Sequence, residues 1–366
     1  MGIEEELLLI DGATGRPIAR AGDAVRHATQ GEPEGGAAVG GSVDGELQLE
    51  QLEIDTPPQT DLGALSSQLR AWRGRAVQAG RDVGAQVAAL GTSPLPVRPT
   101  LAPSPRFLRI AERFGLTARE ELISGCHVHV SVDSLEEAVG VIDRIRIWLP
   151  ALLALSANSP FWQGQDSGYA SFRSQVWLRW PSAGPSELFG SADGYRRAVE
   201  EMIATGVVLD EKMVYLDARA SSRYPTVEVR AADVCLEVED AVLVAGLCRG
   251  LVETAAHEWQ AGEPAAPVTT SLLRLARWQA GRDGLDGELL DPWRSTPRPA
   301  RDVVEAMLEH VRPALARTGD EEAVETRFEQ VLSRGTGARR QREVFARSGD
   351  LSAVVADAVR VTAGHR

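Results

Sequence analysis

Short apolar runs compatible with strands are concentrated before about residue 232, interspersed with helical spacing, and helical spacing dominates beyond it. Residues 3–10 are rich in strand-compatible side chains and are closed by the turn pair Asp11-Gly12. In a strand at this position Glu4 and Glu6 share one face and Glu5 takes the other. Residues 31–45 are glycine-rich and read as a loop or a long hairpin connection. A second strand is expected over 46–55. There Leu47 and Leu49 share one phase and Leu52 and Ile54 the opposite one, a slip that a strand absorbs only with a bulge or bend.

Leu62, Leu65, Leu69, Trp72 and Val77 give a helix within 61–90, and the proline-rich stretch 94–105 reads as irregular loop. A strand is expected over 126–132. A helix follows over 134–155, opened by the pair Ser134 and Glu137 as a capping box. Residues 158–190 form a long segment of Asn, Ser, Gly, Pro and aromatics, the kind of loop that often carries function. A helix near 192–204 leads to strands at 214–217 and 226–230. After residue 238 the pattern is helical, with loops at 261–268, 281–299 and 333–338. The expected fold class is α+β: strand-rich over 1–232, helix-rich over 233–366, and a single domain of 366 residues.

Composition narrows the partners. Thirty-nine Lys and Arg against 52 Asp and Glu give a net charge of −13, which argues against a nucleic-acid backbone as ligand. Cys126, Cys235 and Cys248 are too few and too scattered for a disulfide framework or a cysteine-rich zinc site. The opening MGIEEELLLI has acids where a signal peptide needs bases, and the most apolar stretch, 145–157, contains Arg146 and is too short to span a membrane. A cytoplasmic protein without a membrane partner is expected, and a homodimer is the expected assembly.

Three strand-borne patterns carry the candidate chemistry. His127 and His129 sit at i and i+2, so both imidazoles share a strand face and can reach one metal, phosphate or carboxylate; satisfying polar groups inside a sheet is the competing role. Glu228 and Arg230 repeat this geometry in TVEVR, where a cross-sheet salt bridge is the competing role. Glu4, Glu6, Glu53 and Glu228 on one sheet face would repel one another without compensation, and Mg²⁺, a hard cation with oxygen ligands, supplies it. Arg173, Arg219, Arg230 and Arg282 are candidates to hold a phosphoryl group or a substrate carboxylate in bidentate fashion. The sequence has no GxxxxGK[ST] segment, no GxGxxG after a strand and no GxSxG elbow, so the common glycine-rich nucleotide folds do not apply.

The segments Gly2-Ile3-Glu4-Glu5-Glu6, Gln51 to Thr56, GCHVHVSV from Gly125, ALSANSPFWQGQDSGYASFRSQV from Ala154, PTVEVRAADV from Pro225 and WQAGRDGL from Trp278 closely resemble the glutamate–cysteine ligase type 2 family, the bacterial carboxylate–amine ligases. They cover nearly the whole chain in the family's order. The resemblance implies a glutamine-synthetase-like fold, a curved antiparallel sheet with helices packed outside it, and one catalytic domain. It implies use of ATP and Mg²⁺ to make γ-glutamylcysteine from L-glutamate and L-cysteine through γ-glutamyl phosphate. Glu4, Glu6, Glu53 and Glu228 match positions expected to hold Mg²⁺, and His127 and His129 resemble the pair near metal and phosphates. Arg230 resembles the arginine on the transferring phosphoryl group, and Arg173 and Arg219 resemble contacts to glutamate or phosphate.

Three departures accompany the resemblance. Relatives usually begin several residues before the GIEEE strand. The family's GTHP is Gly91-Thr92-Ser93-Pro94 here, and its DxRPS is Asp217-Ala218-Arg219-Ala220-Ser221. The last two bear on the acceptor pocket more than on the phosphate machinery. A different acceptor amine, a non-catalytic amino-acid or nucleotide binder, and a metal-dependent amidohydrolase built on His127 and His129 are the competing readings.

Overall fold

The computed structural model describes residues 1–29 and 41–365. The chain begins β1 (Gly2–Asp11), α1 (Ala21–Ala28), β2 (Ser42–Gly45), β3 (Gln51–Asp55), α2 (Leu62–Asp82), β4 (Ala85–Ala88), α3 (Pro105–Phe114), α4 (Leu116–Glu120) and β5 (Gly125–Ser131). It continues through α5 (Leu135–Ile145), α6 (Leu149–Ser156), the small hairpin β6 (Phe161–Trp162) and β7 (Gln165–Asp166), α7 (Arg173–Trp177), α8 (Ala192–Ala204), β8 (Ala218–Ala220) and β9 (Thr226–Asp233). The remainder is α9 (Val238–Gln260), α10 (Thr270–Asp283), the hairpin β10 (Glu288–Leu290) and β11 (Pro297–Pro299), then α11 (Ala300–Thr318), α12 (Glu321–Arg334), α13 (Gly337–Ser348) and α14 (Leu351–Thr362).

Among the described residues, seven strands form the main sheet in the order β2-β3-β1-β5-β9-β8, with β4 attached to β1, and every pairing is antiparallel. This corrects the expectation of a curved, glutamine-synthetase-like sheet. The sheet is open, neither curled nor closed, and ends in β2 on one side and β8 on the other. The ten-residue β1 explains the layout. Its first half pairs with β5 (Gly2–Glu5), while its last residues (Leu8–Asp11) pair with β4 along the same edge, so the sheet widens sideways without joining its ends. What holds is a mixed α/β architecture of an antiparallel sheet with surrounding helices.

One face of the sheet is dry. Ile3, Leu7 and Leu9 of β1, Leu52 and Ile54 of β3, Cys126, Val128 and Val130 of β5, and Val227 and Val229 of β9 are buried there, packed with side chains of α2, α5, α9 and α11. Glu5 enters this face fully buried and is held by Arg73 of α2 through two bonds of 2.7 Å, while Arg73 also donates to the carbonyls of Cys235 and Leu236. On the other face Leu8 and Ile10 pack beneath Val355, Ala358 and Val361 of α14, and the polar ends of the strands stand beside this second core.

Local differences from the sequence reading have physical causes. The phase slip between Leu47/Leu49 and Leu52/Ile54 is not a bulge: β2 and β3 form a hairpin, and Leu47 and Leu49 lie in its connection. Of the glycine-rich segment 31–45, residues 31–40 lie outside the described residues, and 42–45 is β2. The helix of 61–90 ends at Asp82, and the chain returns as β4. Ser134 caps α5 by accepting from the Glu137 N–H, but Glu137 reaches back to Asp133 N and not to its cap partner. The helix then breaks before α6, whose first turn contains Pro150, since proline lacks the N–H and clashes with the preceding turn. The strand expected at 214–217 is displaced to β8, and β9 runs on to Asp233.

Candidate active site

The carboxylates and imidazoles gather on the face opposite the dry core because the strands are in register. Glu4 stands directly across from His127, His129 across from Glu228, Glu228 across from Arg219, and Glu6 across from Glu53. Period-two alternation within each strand puts these side chains on a common face, and cross-strand neighbours are close enough to interact.

Glu4 is the hub. His127 Nδ1 lies 3.3 Å from its Oε2 and His129 Nε2 lies 2.9 Å from its Oε1. Burial alone would raise the Glu4 pKa, but the hydrogen bonds to the two imidazoles prevail and hold it well below the usual carboxylate range. The imidazoles diverge in response. Burial and the Arg230 charge lower the His127 pKa. Burial opposes protonation of His129 too, yet its hydrogen bond to Glu4 and the charges of Glu4 and Glu228 raise its pKa. A neutral His127 donating to Glu4 through Nδ1 keeps a free lone pair at Nε2, which is buried and has no hydrogen-bond partner among the described residues.

Glu228 is gripped from both sides. Arg219 holds it bidentately (Nε–Oε2 2.7 Å, Nη2–Oε1 3.0 Å), and Arg230 Nη1 donates to its Oε1. Burial opposes ionisation, but the two guanidinium charges pull the Glu228 pKa down to about 2. Arg230 keeps its Nε buried and, among the described residues, unpartnered. Arg173, on α7, is 1% exposed, and both its Nε and Nη1 are buried without a hydrogen-bond partner among the described residues. Both guanidinium groups lie over the Trp177 ring, at 5.8 Å for Arg173 and 5.4 Å for Arg230.

Among the described residues, two groups of three could hold a cation. Glu4, His129 and Glu228 each offer a ligand atom within 4.8 Å of the others, and so do Glu6, Glu46 and Glu53. The second group is all oxygen, the donor set of a hard cation such as Mg²⁺. Glu53 shows the cost of leaving it uncompensated: burial, then the charges of Glu46, Glu4, Asp55 and Glu6, push its pKa well above the usual range. Burial and the Glu4 charge likewise raise Asp55 to about 6. Mutual repulsion of this kind is what a divalent cation relieves.

Nine of the ten residues singled out from the sequence lie on this face or immediately beside it. Arg282 does not join them: it is exposed on α10, donates to the Gly168 carbonyl and lies 5.5 Å over the Tyr169 ring. Four acids were missed. Glu46 sits in the β2–β3 connection, where strand spacing carries no signal. Asp55, in register with Glu4, is the last residue of the strand expected over 46–55 and has no i, i+2 acidic or basic partner beyond Glu53 to mark it. Glu121 is buried between α4 and β5, and burial raises its pKa to about 8. Asp233 arrives through a bulge: two residues of β9, Arg230 and Ala231, oppose the single His127 of β5, which shifts the alternation and aligns Asp233 with Gly125. Gly125 was quoted in a motif without a role. Its N–H donates to Glu6 (2.5 Å), and a Cβ there would lie 2.3 Å from Arg173 Nη2 and 3.1 Å from His127 Nε2, so no larger residue fits without displacing them.

Among the described residues no helix is long and apolar enough to cross a membrane. A relative from Streptomyces avermitilis, provisionally named glutamate–cysteine ligase 2-1, is 52% identical over 364 residues, covering 100% of this chain and 99% of its own. One from Streptomyces coelicolor, provisionally named glutamate–cysteine ligase 2, is 52% identical over 362 residues, covering 99% and 98%. The solved glutamate–cysteine ligase of Francisella tularensis in complex with AMP shares the fold, with a TM-score of 0.68 at 15% identity over 99% of this chain and 87% of that one. The bifunctional glutathione synthetase of Pasteurella multocida matches with the same TM-score and identity, but the chain spans only 52% of its length. The model of the glutamate–cysteine ligase family 2 matches residues 1–357, and the chain belongs to that family.

Proposed function

We propose that the chain is an ATP-dependent carboxylate–amine ligase that joins L-glutamate to L-cysteine through γ-glutamyl phosphate, giving γ-glutamylcysteine, ADP and phosphate. Membership of the ligase family supports an enzyme, and the observation that carries the reading is the pair of three-ligand groups facing buried, unpartnered guanidinium donors on one sheet face. Glu4, His129 and Glu228 would hold one Mg²⁺ and Glu6, Glu46 and Glu53 another. Bound Mg²⁺ would offset the charge of the ATP phosphates and of the carboxylates around it.

An oxygen of the glutamate γ-carboxylate attacks the γ-phosphorus, and the bond to the ADP oxygen breaks. The amine nitrogen of cysteine then attacks the acyl carbon, losing a proton, and phosphate leaves. No side-chain nucleophile is needed, in keeping with three free, buried cysteines whose thiol pKa values are raised by burial. Arg230 has the place and the fixed orientation to stabilise charge on the transferring phosphoryl group, since Glu228 and Trp177 hold its guanidinium. Arg173 presents open donors to a second anion, and Arg219 keeps Glu228 ionised and aligned. His127, neutral and with a free Nε2, can accept or relay a proton beside the phosphates.

In this reading one catalytic domain spans 1–366 and works in the cytoplasm as a homodimer on small molecules. A single domain is supported by the core, which draws on residues from Ile3 to Val331, and by Gln341 of α13, which donates to Asn158 beside the site. The deciding experiment supplies ATP, Mg²⁺ and glutamate with a panel of amines and identifies products by mass spectrometry. γ-Glutamylcysteine with cysteine-dependent ADP release is expected. Product with another amine only would reassign the acceptor, and no product with any amine would reject ligation.

A further inference from the structure

Asp233 is completely buried, yet its oxygens are not used for the guanidinium beside it. Its Oδ2 accepts from the Asn158 backbone N–H at 2.9 Å and from Ser159 Oγ at 2.6 Å, and its Oδ1 accepts from Ser171 Oγ at 2.8 Å. Arg173 Nη1 stands 3.8 Å from Oδ1, beyond hydrogen-bond length. Ser159 Oγ in turn accepts from the Arg173 backbone N–H at 3.0 Å, so one carboxylate ties β9 to the two segments that lead into α7.

The contrast with another fully buried arginine–carboxylate pair, Arg73 and Glu5, is instructive. Arg73 spends its donors on Glu5 and two carbonyls, the mark of a structural ion pair. Arg173 is equally buried, and Asp233 opposes its charge without occupying Nε or Nη1. Buried donors left open are costly, and the arrangement is explained if a ligand completes them. Gly125 removes the one side chain that would fill the space between Arg173 Nη2 and His127 Nε2. With Asp233 ionised, the pair is neutral overall, which suits a singly charged planar carboxylate better than a polyphosphate.

We propose that Asp233 is a positioning residue that clamps the 158–159 and 171–173 segments and thereby holds Arg173 as an open receptor for the carboxylate of the amino-acid substrate. The inference rests on the ligase reading, and binding measured without turnover separates the two. Isothermal titration of L-glutamate is carried out on the full chain with Mg²⁺ and a non-hydrolysable ATP analogue, with intrinsic tryptophan fluorescence as a second readout. For Asp233→Asn, glutamate affinity is expected to fall about tenfold while affinity for the ATP analogue stays within about twofold; in an Arg173→Gln background the same change should have almost no further effect. If Asp233→Asn does not fold, Ser171→Ala, which removes one clamp bond without uncovering a charge, is expected to weaken glutamate binding about threefold. Unchanged glutamate affinity in the folded variant, or equal losses with and without Arg173, would overturn the role of Asp233. Absence of glutamate binding by the wild-type chain would overturn the ligase reading and the inference with it.

Discussion

The two faces of the central sheet carry the same residue type under opposite terms. Glu5 points into the dry face and meets a single arginine that satisfies it bidentately. Glu4 and Glu6, its chain neighbours, point the other way into a crowd of Glu46, Glu53, Asp55 and Glu228, two imidazoles and guanidinium groups whose donors are partly open. A buried charge that is fully paired holds structure together, whereas a half-buried group of like charges left incompletely paired stores unfavourable energy that a ligand can release. Three consecutive glutamates thus divide into one paired inside the fold and two that face the candidate site, and strand geometry does the dividing.

The sharpest way to break this contrast is Glu53→Gln. Turnover should fall to background because a ligand of the all-oxygen group is lost. The metal-free protein should melt at a higher temperature, because burial and neighbouring charges make an ionised Glu53 costly at neutral pH. A variant that keeps its turnover, or melts lower, contradicts the division. On the dry face Glu5→Ala should do the reverse. It strands the Arg73 charge and should cost about 3–5 kcal/mol in urea unfolding, with turnover per folded molecule unchanged.

Arg230→Lys tests the site face more gently. A point charge replaces a planar fork, and a rate loss on the order of 10²-fold with a near-native melting temperature is expected. A retained rate would leave Arg230 as a partner of Glu228 alone. The smallest effect is on pH dependence. Asp55 titrates at 3.8 ordinarily and at about 6 in the fold, so the folded chain binds more protons in that window and loses stability as pH rises through it. Added Mg²⁺ should therefore raise the melting temperature more at about pH 7.5 than at about pH 5, the gain at saturation near 100 times Kd being about 3 kcal/mol. Equal gains at both pH values would separate the acids from the metal.

Much of the candidate site was legible because it lies on strands. Glu4 with Glu6, His127 with His129, and Glu228 with Arg230 are i, i+2 pairs, and alternation alone puts each pair on one face. The residues that escaped are those for which alternation fails. Glu46 stands in a hairpin connection, Asp233 follows a bulge that reverses the phase, and Glu121 lies in a buried loop. The helical spacings located α2, α8 and α9, yet the curvature expected of the sheet was wrong. Curvature depends on how far strands pair along one another and where β4 joins β1, and neither leaves a trace in local pattern.

By itself, then, the sequence determined which side chains share a face, through the two-residue pleat of each strand, and which family the chain resembles, through its motifs. Only the tertiary structure decided which faces meet: Glu4 against His127, 123 residues away, and the Asn158–Ser159 segment against Asp233, some 75 residues away. The pleat is a property of a few adjacent dihedrals. Register, bulge and strand order are chosen by burial and hydrogen bonding summed over segments far apart in the chain, and those contacts exist only once it has folded.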